Sequence, residues 1–586
     1  MKTKVLALLL AALMLVGLLA GCGGFAAPAA SEASAPQEGS AEDAVPAEEA
    51  APAAEEEASS LEADSAEEPA EPAELGPFEA APAEIPIADG AKLTYFVELP
   101  GYMSMFNVNS YDDLDAWKAA EDMLGVDVDF TIVNMESMNT TFSLMIASGD
   151  ITDLVSGGTQ FYASTEQMIE DGVAIDLMPY TDQLPNYWKA LNYYSDYLPV
   201  AISIDGYMPE VISISDGYRV SGGMQIRQDW LDDMGVEIPT TFEELHDVLL
   251  SFTTNYGADH ALLLTGSTQM MGSGLVGGFG SIGFEGADTT ANMFVVDGEV
   301  KNGFLVDGYK EYLEMMAQWY SEGIIASDFA AEPSDPWTSN ADRYISNGNA
   351  GVWTSQSDNM DANQMTGQDA NPDFKISPMA QITKDGDLFH FADSSVGTNA
   401  MGKNISISDC CEDVDLALDF LDFWFTDEGI KLANYGIEGV SWDYNAEGKP
   451  ELNDTVLHND TFPMVSFAFT YYTLACVATL GDFYKMDPAY TETNLAAMAL
   501  WTETSDDLYT LPSTVELTYE ENNRYSELWS DISTMASTEV FKFVMGEYNF
   551  DSDWDNFISQ LKDMGLEECV EIYQGAYDRY VEVYGA

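Results

Sequence analysis

Three of the eleven tryptophans stand where an indole ring could contact a bound molecule. Trp337, Trp353 and Trp442 fall in predicted loops or at predicted strand ends, where binding residues concentrate. Sugar rings expose flat C–H faces that pack on aromatic side chains, while their hydroxyl groups need polar partners at the rim. These indoles are therefore candidate contacts for a sugar-like ligand, with packing inside the protein as the alternative for each.

Four polar side chains are further candidates for ligand contact. Glu98 and Tyr102 follow the first predicted strand, and loops at the carboxyl ends of parallel strands border the ligand crevice in open α/β sheets. Asp153 follows a predicted helix and turn, where it could accept hydrogen bonds from sugar hydroxyl groups or remain solvated. Arg227 could clamp a ligand carboxylate with two hydrogen bonds, or pair with a neighbouring aspartate instead.

One stretch has partial calcium-loop spacing. Positions 1, 3, 5, 6 and 12 of an EF-hand-like loop would be Asp443, Asn445, Glu447, Gly448 and Asp454. The last position lacks the bidentate glutamate, and Pro450 stands where an apolar residue is usual. A hairpin turn in which Gly448 supplies a positive φ accounts for the same residues, so neither a metal nor another cofactor is predicted.

Catalytic chemistry has no positive support in the sequence. A glycosidase needs two carboxyl groups across a glycosidic bond, but 101 acidic residues make chance pairs uninformative. No GxSxG motif is present, the four histidines form no HExxH cluster, and the five cysteines show no repeated CxxC spacing. We therefore expect no enzyme, zinc site or disulfide framework.

The charge balance narrows the range of partners. Only 20 Lys and Arg oppose 101 Asp and Glu, which gives a formal net charge of −81. Nucleic-acid binding needs cations to neutralise phosphates, so the balance argues against this class of partner. It also argues against anionic ligands, although a solvated acidic surface explains most of the charge.

The amino terminus has the features of a secretory signal followed by a tether. Two lysines precede an apolar run over 5–20, and the sequence L-A-G-C ending at Cys22 resembles the bacterial lipobox. The resemblance implies removal of residues 1–21 and a diacylated Cys22, whose two acyl chains give stable membrane anchoring. Residues 22–90 contain 18 acidic residues and no Lys or Arg, and their Ala, Pro and Glu content predicts a disordered tether.

The rest of the chain is predicted to alternate strands and helices. Strands are expected at 92–97 and 126–130, a helix at 111–124, and a helix, turn and strand across 142–155. Such alternation favours a parallel sheet in an α/β layer.

The stretch 221–250 continues this pattern. A strand over 224–226 precedes a helix that ends near Gly235, and Thr241 and Glu244 have capping-box spacing for a second helix. Later segments predict a hairpin over 295–300, helices over 309–325 and 416–433, and a glycine-rich loop over 266–280.

Several of these motifs resemble bacterial extracellular solute-binding lipoproteins. Residues 224–244 match a strand-(R/K)-DW-L-x-x-x-G-x-x-x-P-x-T-x-x-E pattern, and 144–153 match L-M-x-A-S-G-D-x-P-D, with Thr152 in place of the usual proline. The run N-Y-G-I-E-G-x-x-(Y/W)-x-x-x-x-x-G-K-P over 434–450 is the most specific match and characterises the oligosaccharide-type branch. The matches follow the family's order across most of 91–586.

The resemblance implies a fold and its division into lobes. The expected fold is a two-lobed α/β periplasmic-binding-protein fold, type II-like, whose discontinuous lobes are joined by hinge strands. Lobe one is expected at 91–221 and 400–465, and lobe two at 222–399 and 466–586.

The same resemblance implies a function. A protein of this family would capture a sugar or oligosaccharide between its lobes and deliver it to an ABC permease with a separate ATPase, as a lipid-anchored monomer on the extracellular face of the cell membrane. Trp353 falls where sugar-binding relatives often place a cleft tryptophan, and Trp442 takes the aromatic position of the 434–450 motif. A peptide or cationic-amine ligand stays open, as does a surface adhesin or a glycoside hydrolase.

Overall fold

The computed structural model describes residues 78–585, except 135–136, 163, 218, 265–273, 282, 285–292, 330–343, 393–402, 460, 463–464 and 513. The predicted signal peptide, Cys22, Trp337 and residues 266–273 of the predicted loop therefore lie outside the described residues. In the described ranges, none of the helices reaches the combination of length and apolar character that a membrane crossing demands.

Short strands and longer helices alternate along the described chain. The strands are β1 Ala91–Glu98, β2 Val126–Val133, β3 Leu154–Ser156, β4 Ile214–Ser215, β5 Gly222–Arg227, β6 His260–Leu262, β7 Gly283–Phe284, β8 Met293–Val296, β9 Glu299–Asn302, β10 Ala350–Gln356, β11 Ile376–Pro378, β12 Phe389–Ala392, β13 Ile405–Ile407, β14 Trp442–Tyr444, β15 Pro450–Leu452, β16 Leu480–Gly481 and β17 Ser505–Asp506. The helices are α1 Asp115–Leu124, α2 Met138–Ser148, α3 Thr165–Glu170, α4 Pro185–Tyr193, α5 Leu198–Ala201, α6 Gln228–Met234, α7 Phe242–Tyr256, α8 Asp307–Ser321, α9 Ser357–Ala370, α10 Val414–Phe423, α11 Asp427–Tyr435, α12 Asp454–Leu457, α13 Val465–Tyr472, α14 Glu492–Glu503, α15 Tyr519–Val544, α16 Phe550–Asp563 and α17 Leu566–Tyr584.

The first sheet has the strand order β13-β3-β1-β2. Strand β1 lies parallel to β2 and β3, whereas β13 runs antiparallel along β3. The predicted parallel α/β layer is thereby confirmed. A core that includes Trp117, Tyr187 and Trp424 packs around this sheet, and the sheet with its core is termed the first lobe.

The second sheet has the strand order β11-β5-β10-β6. Strand β5 is antiparallel to both of its neighbours, and β6 is parallel to β10. Leu231, Phe252 and Trp319 from α6, α7 and α8 share one core with Phe543 and Phe557 from the carboxyl-terminal helices. This sheet with its core is termed the second lobe.

The chain division between the lobes differs in detail from the expected one. Leu474, Val477 and Leu480 pack in the first-lobe core, although the sequence places the second lobe from residue 466 onward. The reason is that β16 pairs with the first-lobe strand β4, so the chain leaves the first lobe only after residue 481. The other predicted boundaries stay predictions.

Two chain crossings between the lobes run side by side. Strands β4 and β16 pair in parallel, with Ile214 opposite Leu480. Just beyond this pair, Arg219 forms an ion pair with Asp487 at 2.5 Å, and its guanidinium lies 5.3 Å from the ring centroid of Phe483. A charge contact and an aromatic contact therefore hold the two crossings together where the strand pairing ends.

Residues 78–90, which the sequence assigns to the tether, lie against the first lobe. The Phe78 ring packs edge-on against Tyr193 with centroids 5.4 Å apart, and the N–H of Ile87 donates to the carbonyl of Leu124 at 3.0 Å. Phe78 and Ile87 pack against the first-lobe core, so residues 78–90 have apolar surface to bury and do not form part of a disordered tether.

The predicted helix over 416–433 is two helices, α10 and α11. The Thr426 hydroxyl accepts the N–H of Gly429 at the start of α11 and donates to the carbonyl of Phe423 at 2.6 Å. A Cβ on Gly429 would lie 2.1 Å from the Phe423 carbonyl oxygen, so a larger residue would force the helices apart. Apolar residues continue across the junction, which explains why the sequence pattern indicates one helix.

A predicted turn and a predicted helix cap are present in the structure. Asp297 and Gly298, with φ of 52° and 81°, form the predicted turn between β8 and β9. Thr241 caps α7 by accepting the N–H of Glu244, as predicted, but the Glu244 carboxylate accepts from Thr240 instead of Thr241. The helix start is thus capped from both residues that precede it.

Candidate functional site

The carboxyl-terminal ends of the first-lobe strands meet at one edge of the sheet. Glu98 ends β1, Val133 ends β2, and the loop through Thr159 follows β3. Lys403 precedes β13, which runs in the opposite direction and so begins at the same edge. Such an edge borders the ligand crevice in open α/β sheets, and it is termed the crevice edge here.

An ion pair lies at the crevice edge. The ammonium of Lys403 donates to the carboxylate of Glu98 at 3.1 Å, and the two side chains are 30 % and 19 % exposed. An ammonium has three donors and a carboxylate has two accepting oxygens, so each group keeps hydrogen-bonding capacity for further partners. The pair as a unit is neutral, and it therefore offers hydrogen bonds to hydroxyl groups without a net charge.

Tyr102 and Phe467 form an aromatic stack near this pair. Their ring centroids lie 4.1 Å apart with an interplanar angle of 9°, and both side chains are half-buried. The hydroxyl groups of Tyr102 and Thr470 share a 3.0 Å hydrogen bond. Burial raises the pKa of Tyr102, and the nearby Glu98 carboxylate raises it further. The stack is thus a fixed, partly exposed aromatic surface beside polar groups.

The sequence pattern indicates Glu98 and Tyr102 but not Phe467 or Lys403. Phe467 lies in the aromatic run F-A-F-T-Y-Y over 467–472, and the density of aromatic residues there is the signal that could have identified it. Lys403 is one of only 20 cationic residues in the chain, so its rarity could have marked it.

A cavity of about 250 Å³ lies between the lobes beside Thr159. The hydroxyl of Thr165 in the first lobe donates to the carboxylate of Glu516 in the second lobe at 2.8 Å, and burial raises the pKa of Glu516. Hydroxyl, amide and carboxylate groups dominate the lining, and they suit a ligand that carries hydroxyl groups. The remaining polar lining residues are Tyr162, Ser164, Asn522 and Tyr573.

Trp353 and Trp442 lie inside the protein. Trp353 is 2 % exposed, packs in a cluster with Trp501, and donates its Nε1–H to Gln225 at 3.0 Å. Trp442 is 3 % exposed and donates its Nε1–H to the carbonyl of Gly436 at 3.0 Å. Both tryptophans are therefore packed inside the protein in this structure, which is the alternative that the sequence leaves open. Ligand contact by either residue stays a prediction.

Asp153 lies at the other end of β3 from the crevice edge. It directly precedes the strand, and its carboxylate accepts the N–H and the hydroxyl of Thr94, each at 2.8 Å. The structure therefore does not bring Asp153 together with Glu98 and Tyr102, because the turn before β3 and the loop after it are at opposite edges of the sheet.

Arg227 pairs with a neighbouring aspartate, which is the alternative that the sequence offers. The side chain is 2 % exposed, and Nε and Nη2 donate to the two carboxylate oxygens of Asp229 at 2.8 and 2.7 Å. The guanidinium lies 4.0 Å from the ring centroids of both Trp230 and Phe374. These contacts hold Arg227 in the second-lobe interior, away from the crevice edge.

The stretch with partial calcium-loop spacing forms the hairpin β14–β15. Gly448 has a φ of 79°, and the side-chain oxygen of Asn445 accepts the N–H groups of Glu447 and Lys449 at 3.0 Å each. Across the part of the chain that the structure describes, no three His, Cys, Asp or Glu side chains are grouped as metal ligands. The four cysteines in that part are free thiols.

Comparison with known proteins defines the class of protein. Residues 114–431 match the family model of bacterial extracellular solute-binding proteins. Since this match spans more than half of the chain, the protein belongs to that family, as the sequence motifs indicate.

Individual relatives resemble the chain over most of its length. The fructooligosaccharide ABC transporter substrate-binding protein FusA of Streptococcus pneumoniae is 23 % identical over 490 residues, which cover 78 % of this chain and 85 % of FusA. The polygalacturonan/rhamnogalacturonan-binding protein YtcQ of Bacillus subtilis is 22 % identical over 483 residues, covering 79 % of this chain and 88 % of YtcQ.

The solved structure of a similar protein supports the fold of this chain. The HMO-binding, ABC-transporter-associated solute-binding protein of Bifidobacterium longum infantis superposes with a TM-score of 0.67 at 19 % identity, covering 84 % of this chain and 99 % of that one. The similarity confirms the predicted two-lobed α/β binding-protein fold.

We expect Trp353→Ala to lower the free energy of unfolding by about 3–5 kcal/mol, because it empties a buried aromatic site. Urea denaturation measures the loss. Tyr519→Ala is the matched control, since the Tyr519 side chain is 58 % exposed, and it should change the stability by less than about 0.5 kcal/mol. A near-neutral Trp353→Ala would show that the indole is not part of the core and would favour its role as a ligand contact.

Proposed function

We propose that this protein captures a neutral oligosaccharide between its lobes and delivers it to a membrane permease that a separate ATPase drives. The half-buried Tyr102–Phe467 stack, beside the Glu98–Lys403 pair at the crevice edge, carries the proposal. Aromatic surfaces pack on the C–H faces of sugars, and the polar groups supply partners for their hydroxyl groups. The names of FusA and YtcQ both state a carbohydrate ligand, which supports a glycan here. The polygalacturonan in the name of YtcQ is acidic, so the choice of a neutral glycan rests on the charges near the crevice.

The charges near the crevice favour a neutral glycan over an acidic one. Lys403 is already paired with Glu98, and the cavity between the lobes adds the carboxylate of Glu516. Arg227 is bound to Asp229 in the interior. An acidic glycan would meet repulsion from the Glu516 carboxylate and from a formal net charge of −81, while the described cation of the crevice edge, Lys403, is already paired.

Capture would proceed by closure of the lobes about the paired crossings β4 and β16. A ligand favours the closed arrangement to the extent that it binds that arrangement more tightly. Thr159 and Glu516 line the same cavity from opposite lobes, so one ligand could contact both. The sequence contains no GxxxxGK[ST] phosphate loop, and the energy for import would therefore come from partner proteins.

The same proposal makes the protein a binding component and not an enzyme. Membership of the solute-binding family implies a binding role. A crevice that closes around an intact glycan and releases it to a permease needs no bond cleavage. The carboxylates near the crevice are engaged with Lys403 and Thr165, and these contacts suit positioning.

Thermal unfolding of the protein with a panel of ligands tests the substrate class. A ligand at about 100 times its dissociation constant adds roughly 2.7 kcal/mol to the free energy of unfolding, which raises the melting temperature. We expect a rise with neutral oligosaccharides and little or none with polygalacturonate, peptides or polyamines. A rise only with peptides or polyamines would overturn the sugar assignment, and chromatographic detection of cleaved glycan would overturn the binding role.

Substitutions at the aromatic stack locate the ligand. We expect Tyr102→Ala and Phe467→Ala each to weaken glycan binding by more than about 1 kcal/mol, measured by isothermal titration calorimetry, because a sugar face loses its aromatic partner. Tyr548→Ala is the control: Tyr548 is also half-buried, but it contacts Phe543 and Lys542 in the second lobe. Equal affinity in all three folded variants would place the ligand elsewhere.

We also propose that Cys22 carries a lipid anchor that holds the protein as a monomer at the outer face of the cell membrane. Lipoprotein LipO of Bacillus subtilis is 25 % identical over 231 residues, which supports this localisation. We expect the wild-type protein in the membrane fraction of cells and Cys22→Ala in the soluble or precursor fraction, as followed by immunoblotting. A Cys22→Ala variant that stays in the membrane fraction with the electrophoretic mobility of the mature wild type would argue against acylation at Cys22.

A further inference from the structure

A buried carboxylate lies directly behind the loop that follows β3 at the crevice edge. Glu210 is 2 % exposed, its Oε1 accepts the N–H of Thr159 at 3.2 Å, and its Oε2 accepts the Thr159 hydroxyl at 2.9 Å. Glu210 therefore receives two hydrogen bonds from Thr159, and the backbone of the adjacent Gly158 also favours its charged form. Thr159 also lines the cavity between the lobes.

The fold fixes this arrangement from two sides. Val211, the residue after Glu210, forms an antiparallel bridge with Ile405 of β13, with two backbone hydrogen bonds of 2.9 Å. On the loop side, a Cβ at Gly158 would lie 2.4 Å from the Met168 side chain and 3.4 Å from Glu210 Oε1. A larger residue at 158 would first have to displace the Met168 side chain, and the contact between the loop and the carboxylate is built into the first lobe.

We propose that Glu210 is a positioning residue whose proton decides whether the Thr159 hydroxyl donates a hydrogen bond to the ligand or only accepts one. An ionised carboxylate can only accept, so the Thr159 hydroxyl must donate to Oε2 and presents only its lone pairs to the cavity. A protonated Glu210 donates from Oε2 to the Thr159 oxygen, which releases the Thr159 hydrogen for a ligand oxygen. Because the ligand in the crevice is the partner of Thr159, this inference rests on the proposed function.

The environment lets Glu210 change its charge near neutral pH. Burial raises the pKa of Glu210 to about 7, and the hydrogen bonds from Thr159 and Gly158 oppose this rise. Among the described residues, the buried phenols of Tyr95 and Tyr187 also face it; their pKa values are raised chiefly by burial, so both stay neutral in this range. The described groups that act on the pKa of Glu210 include no cation.

The sign of the effect on stability follows from this pKa. The folded protein holds the Glu210 proton up to about pH 7, whereas the unfolded chain releases it near its ordinary pKa of 4.5. The contribution of Glu210 to stability is therefore full at low pH, falls as the pH rises from the unfolded pKa to about 7, and stays reduced above that. Glu210→Gln, which cannot ionise, removes this dependence.

The test is calorimetric titration of the full-length protein with a neutral fructooligosaccharide between about pH 5.5 and pH 8.5. The expected result is a change in affinity of at least about threefold across pH 7, the size of one net hydrogen bond. Glu210→Gln should bind across the whole range as the wild type does at the lowest pH, because an amide also donates to Thr159. Thr159→Ser, which keeps the hydroxyl group, should retain the change in affinity across pH 7. Thr159→Val, which lacks the hydroxyl group, should lose it.

Two further measurements make the outcome decisive. The change in affinity across pH 7 should persist in Glu516→Gln, which removes the carboxyl group of Glu516 from the same cavity. If this change disappears in Glu516→Gln and persists in Glu210→Gln, the proposal is overturned. The melting temperature of the ligand-free wild type, relative to Glu210→Gln, should fall as the pH rises toward about 7 and level off above it. Failure of every glycan to bind would count against the proposed function, whereas equal pH dependence of the two ligand-free proteins would overturn the inference about Glu210 by itself.

Discussion

The candidate site depends on the antiparallel pairing of β13 with β3. Ile405 lies opposite Ser156 and Ile407 opposite Leu154, so a strand that comes from late in the chain is fixed against one formed early. This register places Lys403 at the crevice edge within reach of Glu98. A shift of one residue would turn every side chain of β13 to the other face of the sheet and remove Lys403 from the ion pair.

The sequence predicts well those features whose causes lie within one segment. The strands β1 and β2 and the turn at Asp297 and Gly298 follow from local alternation and from turn residues. The location of Glu98 and Tyr102 at the crevice edge follows from the strand β1, while ligand contact by either residue stays a prediction. The break between α10 and α11 is less visible, because a threonine cap and a close glycine contact interrupt an apolar pattern that itself continues.

The burial of aromatic side chains is what the sequence could not predict. Trp353 looks like a residue at a strand end, but Trp501 from α14 covers the same cluster, and α14 reaches it only through the last chain crossing. Phe467 presents a different case, since no local pattern singles it out, while stacking on Tyr102 brings it near the crevice edge. Both outcomes are decided by contacts between segments far apart in the chain, which local periodicity does not contain.

Acidic residues far outnumber cationic ones in this chain, and three of the cations form ion pairs with nearby carboxylates. Lys403 is paired with Glu98, Arg219 with Asp487, and Arg227 with Asp229. Each of these cations joins segments or strand ends that must keep a fixed geometry, and each is neutralised by its partner. Under the proposed function, recognition at the crevice would rest on aromatic surfaces and neutral hydrogen-bonding groups, which suits a ligand whose hydroxyl groups are numerous and whose charge is zero.

A buried lysine lies between the two chain crossings that connect the lobes. Lys485, on the crossing that follows β16, is 7 % exposed and lies 5.4 Å from the ring centroid of Phe469. Burial lowers the pKa of Lys485 to about 8, while Asp482 and Asp216 oppose this shift. Asp216 belongs to the other crossing, and its carboxylate accepts the N–H of Phe483 at 2.7 Å. The Lys485 ammonium donates to the backbone carbonyl of Asp482 at 2.8 Å, and separation of the crossings would weaken the favourable charge interaction of this buried ammonium with Asp216. In the proposed closure, this interaction favours bending of the two crossings together as a pair.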